Sequence, residues 1–288
     1  MRNIFTKAGW GGGEEQVQLP TLDLSGPLLA AALRDLISTT EADGGVERYV
    51  QALTLKSELF ADTLKPNSAP IDRDTFMRLC TFMPTVRRKI PAYLDPGGFE
   101  LISDAIAGLL RGAEDAGSAD QRMQEFCGRF TDDSSPRWVR DLAAEILHNV
   151  LPEKYPLMCR WVWDTKANTG VLREIWHGDD VDGRTIPIDD DYATFATLRS
   201  ELAQYLSNNG IFEHMLAYVD LLCAQVYAQY ICAQGGSYLR ADFSSPDDPA
   251  KHLRRMIGLD GVKPAALRRQ FEASPNGAQS ATDRPLLD

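Results

Sequence analysis

The chain has 288 residues, of which 44% are hydrophobic, enough to bury one large core or two smaller ones. Its formal charge is −11, from 30 basic and 41 acidic residues. That balance repels nucleic acid and anionic membrane unless a local basic patch offsets it. No uninterrupted apolar run is long enough to span a bilayer, and the N-terminus has no apolar signal core. The expected setting is the cytoplasm, with no membrane partner. Cys80, Cys127, Cys159, Cys223 and Cys232 are odd in number, include no Cys-x-x-Cys pair and mostly lie in apolar helical patterns. They are expected to be free thiols in a reducing compartment.

Residues 1–26 read as a flexible arm with Gly9, Gly11, Gly12 and Gly13. Ile4, Phe5 and Trp10 give that arm a surface with which to dock. Ser25 and Pro27 start the first helix, LLAAALRDLIS, and Gly44 and Gly45 end it. A second helix covers Val46 to Leu64, closed by Pro66. Asp72 caps a third, which carries Phe76, Leu79 and Cys80. Pro84 and Pro91 break the next stretch into turns. Phe99 to Leu110 reads as another amphipathic helix.

The polar linker from Gly112 to Asp120 divides an N-terminal helical subdomain, 27–111, from a C-terminal one, 118–272. Ser118 and Gln121 have capping-box spacing for a helix through Phe130. Ser135 and Pro136 start a clear helix, WVRDLAAEILHNVL. Pro152 and Pro156 bracket a turn, and LMCRWVWDTK suits helix or strand. The stretch 171–188 is the one place for a small β-hairpin, with Gly183 in its turn. Asp190 to Leu206 returns to helix.

The organising element is the stretch 211–235. Phe212, Met215, Leu216, Val219, Leu222, Cys223, Val226 and Tyr230 recur with a helical period. A helix of that size is roughly 36 Å long, and one apolar nearly all round belongs in a core. The expected fold is mostly α, an irregular multi-helix bundle around this buried helix. A disordered tail, 273–288, closes the chain.

Two Glu-x-x-His tetrads offer metal-ligating pairs, Glu145 with His148 and Glu174 with His177. On a helix such positions share a face. Di-iron carboxylate bundles use two such pairs, so the alternative function is a helical, iron- or manganese-dependent oxidoreductase. Pro152, Pro156 and Gly170 leave no room for a full helix between the tetrads, which argues against it. The acidic turn with Asp180, Asp182, Gly183 and Asp189 fails as a calcium loop, because Gly178 falls where the first acidic ligand belongs. Phosphate-cradling and nucleophile-elbow motifs are missing.

Trp138, Trp161, Trp163 and Trp176 cluster in one region, as core or as a protein-binding surface. Lys251 to Arg269 reverses the local charge: Lys251, Arg254, Arg255, Lys263, Arg268 and Arg269 stand against Asp260 alone. Arginine forks suit carboxylate recognition, so this stretch is expected to dock an acidic protein surface. Nucleic acid is disfavoured. The expected function is therefore a soluble, non-catalytic accessory or adaptor protein. Trp10, Trp161, Trp163, Trp176, Arg254, Arg255, Arg268 and Arg269 are its candidate partner-binding residues.

Overall fold

The computed structural model describes residues 20–65, 70–130, 137–178, 183–233 and 249–260. They are mostly helical. The helices are α1 (Gly26–Glu41), α2 (Val46–Thr63), α3 (Arg73–Cys80), α4 (Pro96–Leu110), α5 (Ala119–Gly128), α6 (Arg137–Val150), α7 (Val171–Glu174), α8 (Tyr192–Asn208), α9 (Met215–Ala233) and α10 (Pro249–Met256). Three N-termini are held by aspartate side chains. Asp72 accepts from the Thr75 N–H, Asp95 from Gly98 and Asp191 from Thr194. Pro27 occupies the first turn of α1, where its missing N–H costs nothing.

α9 is the central helix. It packs against α1, α2, α7, α8 and α10. Val219, Leu222, Val226 and Ile231 are buried along it. By length and composition it could cross a membrane, but half of its apolar window is packed inside the molecule. It begins at Met215 and not at Ile211. Gly210 and His214 both have positive φ, +85° and +53°, so the chain turns before the helix can start. Phe212 therefore falls outside the apolar stripe and is 75% exposed. One cluster of buried residues runs from Leu29 to Ile257, on both sides of the Gly112–Asp120 linker.

The described residues of the stretch 171–188 do not pair with one another, and the described residues as a whole contain no strand. Val171–Glu174 forms the single turn of α7. Trp176 instead bridges Leu24, just before α1. The Ser25 N–H donates to the Ile175 carbonyl at 2.8 Å, and the His177 N–H donates to the Asp23 carbonyl at 2.7 Å. The far arm is held by side chains. Trp163 Nε1 and Thr165 Oγ1 both donate to the Ile188 carbonyl, at 3.0 and 2.7 Å.

After α10 the chain closes onto the N-terminal half of the molecule. Arg87 grips Asp260 through both guanidinium nitrogens, at 2.8 and 2.7 Å. Gly258 has φ +74°, and a Cβ there would stand 1.9 Å from the Phe82 carbonyl oxygen. Only glycine combines that backbone with that approach. Gly258→Ala is expected to lower stability by about 2 kcal/mol or more in chemical denaturation, since the strained backbone alone costs about 1–3 kcal/mol. Gly26→Ala, with nothing within 4 Å of the added carbon, is the matched control.

Candidate functional site

α6 has no solvent-facing side from Asp141 to Val150, yet it carries Asp141, Glu145, His148 and Asn149. Helical spacing sets Asp141, Glu145, His148 and Asn149 in one stripe. Buried charges persist only when paired, and each finds a partner from another element. The Asp141 carboxylate accepts from the Arg160 N–H at 3.0 Å and from Arg160 Nη2 at 2.7 Å. Glu145 Oε2 lies 3.5 Å from Lys56 Nζ on α2. Lys56 Nζ also donates to the Ile257 carbonyl at 3.1 Å. Asn149 Nδ2 donates to the Glu145 carbonyl at 2.7 Å and to its carboxylate at 3.2 Å. Burial pushes the Glu145 carboxyl above its usual range, while Lys56 opposes that shift.

His148 sits between two acceptors. Its Nδ1 lies 3.0 Å from the Tyr155 carbonyl, and its Nε2 lies 3.0 Å from Asp220 Oδ2 on α9. A carbonyl only accepts, so Nδ1 carries a proton. A carboxylate at Nε2 favours a second. Burial alone would lower the His148 pKa, but the Asp220 charge and both hydrogen bonds carry it above the ordinary value. Both nitrogens are engaged, and the Asp220 carboxylate favours the protonated ring. It has no free nitrogen with which to take a substrate proton.

This pair forms part of the floor of an open groove of ≈ 570 Å³ between α2, the turn after α6 and the first turns of α9. Leu53, Pro152, Met215 and Leu216 supply apolar walls, and Thr54, Ser57, Glu58, Glu153 and His214 supply the polar lining. Among the described residues no lysine or arginine lines it. Ser57 Oγ donates to the Asn149 carbonyl at 2.8 Å, which ties the groove floor to α6. Phe212 precedes this lining in the chain.

The sequence candidates scatter. Glu145 and His148 share α6 but answer to different partners, Lys56 and Asp220. Glu174 ends α7, so His177 lies beyond any shared helix face; its side chain is 65% exposed, with Nδ1 3.7 Å from Asp23 Oδ2. Among the described residues no three His, Cys, Asp or Glu side chains gather to hold a metal. Trp161 and Trp163 are core, 6% and 0% exposed, and Trp176 is half-buried. Arg254 turns inward and pairs with Asp43, which also takes the Tyr49 hydroxyl. Arg255 is half-buried near Arg87 and Arg88, whose charges add to burial in lowering its pKa. Trp10, Arg268, Arg269, Asp180 and Asp182 lie outside the described residues. All five cysteines are free, and burial pushes the Cys80 thiol up to about 12, far from a reactive thiolate.

Lys56, Asp141, Asn149, Arg160 and Asp220 did not stand out as site residues in the sequence. For Lys56 and Asp141 the signal is a charge at a core-facing position. Lys56 shares the buried face of α2 with Tyr49, Ala52 and Phe60. Comparison with family models, with curated proteins and with solved structures finds no match to this chain.

Two measurements check this network. Lys56→Met is expected to destabilise by about 3–5 kcal/mol, the cost of stranding one buried charge. The double variant Lys56→Met with Glu145→Leu should recover much of that loss in urea titrations. The folded chain holds the His148 proton more tightly than the unfolded chain does. Its contribution is complete below the unfolded value, near 6.5, and is lost as pH rises through the raised folded value. Stability should fall over that window, and His148→Gln should flatten the slope.

Proposed function

We propose that the chain is a non-catalytic, cytoplasmic accessory protein that docks a segment of a protein partner in the groove between α2 and the start of α9. The observation that carries this reading is the open groove of ≈ 570 Å³ with Phe212, 75% exposed, in the chain leading into it. Exposed aromatic rings beside a concavity are the usual anchors of protein interfaces. The lining is apolar with carboxylates, Glu58, Glu153 and the paired Asp220, and among the described residues it holds no lysine or arginine. It suits a segment that presents an apolar side chain beside a basic one. Five free thiols support a reducing compartment.

This assignment moves the docking surface away from the residues the sequence suggested. Trp161 and Trp163 serve the core, and Arg254 holds α10 to the turn after α1. The acid-lined groove, not the arginine stretch, now sets the partner's charge.

The test is affinity capture from the native cell with wild type, with Phe212→Ser and with Glu58→Lys plus Glu153→Lys. All three substituted side chains are exposed, so melting should stay within about 0.5 kcal/mol of the parent. A partner held by wild type should be lost from both variants, and its capture should weaken as salt rises. Equal capture by all three proteins would remove the groove from the mechanism.

A further inference from the structure

A second cleft, of ≈ 260 Å³, lies between α4 and α5 and shares no lining residue with the groove. Three arginines line it. Arg111 follows the end of α4, Arg122 lies within α5 and Arg129 follows the end of α5. Among the described residues Glu125 is the one carboxylate in the lining, and its Oε1 accepts from Gln121 Nε2 at 2.8 Å. Among the described residues none of the three arginines forms an ion pair. Three cations against one anion are thus gathered in one cleft of a chain whose net charge is −11. Like charges repel, so this grouping is unfavourable until a counter-anion arrives.

The position of Arg122 is preset. Arg122 Nη1 donates to the Leu109 carbonyl at 2.8 Å and to the Arg111 carbonyl at 2.7 Å. Its Nη2 donates to Ser118 Oγ at 3.1 Å. Its Nε is buried and has no hydrogen-bond partner among the described residues. Gly108 leaves room for Arg129 across α4: a Cβ there would stand 3.1 Å from Arg129 Nη2. Guanidinium groups bind carboxylate and phosphate oxygens through paired, charge-assisted hydrogen bonds. A cleft this small, below the usual range for drug-sized ligands, fits a compact anion.

We propose that the α4–α5 cleft binds a small dianion of the phosphate or phosphomonoester class, held by Arg111 and Arg129 and positioned by Arg122. The excess of two positive charges in the lining matches a dianion. A compact oxyanion, with acceptors on all sides, suits donors reaching it from three chain positions better than an elongated dicarboxylate does.

The test is calorimetric titration of the full chain at matched ionic strength with inorganic phosphate, phenyl phosphate and succinate. Saturable binding of phosphate, of phenyl phosphate or of both is expected; which of the two binds more tightly separates a free ion from a phosphorylated group. Arg111→Gln and Arg129→Gln should each weaken binding about tenfold or more, the loss expected for one charge-assisted contact. Neither substitution should lower the melting temperature in the absence of the anion, since each relieves like-charge repulsion. Gly108→Ala should also weaken binding, by displacing Arg129. Arg122→Gln is avoided, because it would release the end of α4. Failure of wild type to bind either phosphate saturably overturns the proposal, as does unchanged binding in the Arg111→Gln, Arg129→Gln double variant. Succinate binding as tightly as phosphate overturns the phosphate class. Asp132 and Asp133 follow Arg129 in the chain, outside the described residues. Binding that emerges only after both become asparagine would also overturn the proposal, since the chain's own carboxylates would then hold the cleft.

Discussion

The structure depends on the charges of α6 being met. A helix enclosed on every side cannot carry Asp141, Glu145 and His148 unless other elements bring counter-charges to them. α2 brings Lys56, α9 brings Asp220, and the segment after the Pro156 turn brings Arg160. Apolar packing is tolerant of small rotations and slides, because dispersion and burial are non-directional. The polar contacts are not. Lys56 must reach Glu145 and the Ile257 carbonyl together, which sets α2 against α6 and against the end of α10. Such pairs add little net stability over an apolar core, yet any arrangement that separates them carries a heavy penalty. They act on the register of the packing more than on its strength.

The groove inherits its shape from the same network. The His148–Asp220 contact that fixes α9 beside α6 is also exposed at the groove floor. A ligand that settled there would meet a neutral, fully hydrogen-bonded ion pair, not a free base. The walls of the groove are apolar, and Glu58 and Glu153 add carboxylates to the lining.

Much of the fold was legible because its signals are local. The α1 start at Pro27, the Asp72 cap and the Gly44–Gly45 break are each encoded within a few residues. The less legible parts share a different cause. The stretch from Val171 to Ile188 has strand-like residues, but its partners are Leu24, Trp163 and Thr165, which no local pattern reveals. The paired Glu-x-x-His spacing was real, yet spacing creates a shared face only if the helix continues, and α7 stops at Glu174. The buried network was the least legible part. Periodicity analysis treats a charge on an apolar face as noise. Here Lys56 and Asp220 mark the contacts on which the packing turns.

Phe212 illustrates how backbone geometry can force a surface feature. α8 ends at Asn208, and Gly210 turns the chain with positive φ. α9 begins where the Tyr218 N–H donates to the His214 carbonyl at 3.1 Å. Between these points Ile211 is half-buried, and His214 again has positive φ. Two left-handed residues so close together leave Phe212 no path into the core. Exposing a full phenyl ring forgoes roughly 1.5–3 kcal/mol of burial. A smaller or polar residue at this position would avoid that loss without altering either helix. The turn accounts for where the ring points but not for why a ring is there, and the docking role proposed for the groove would give it a reason.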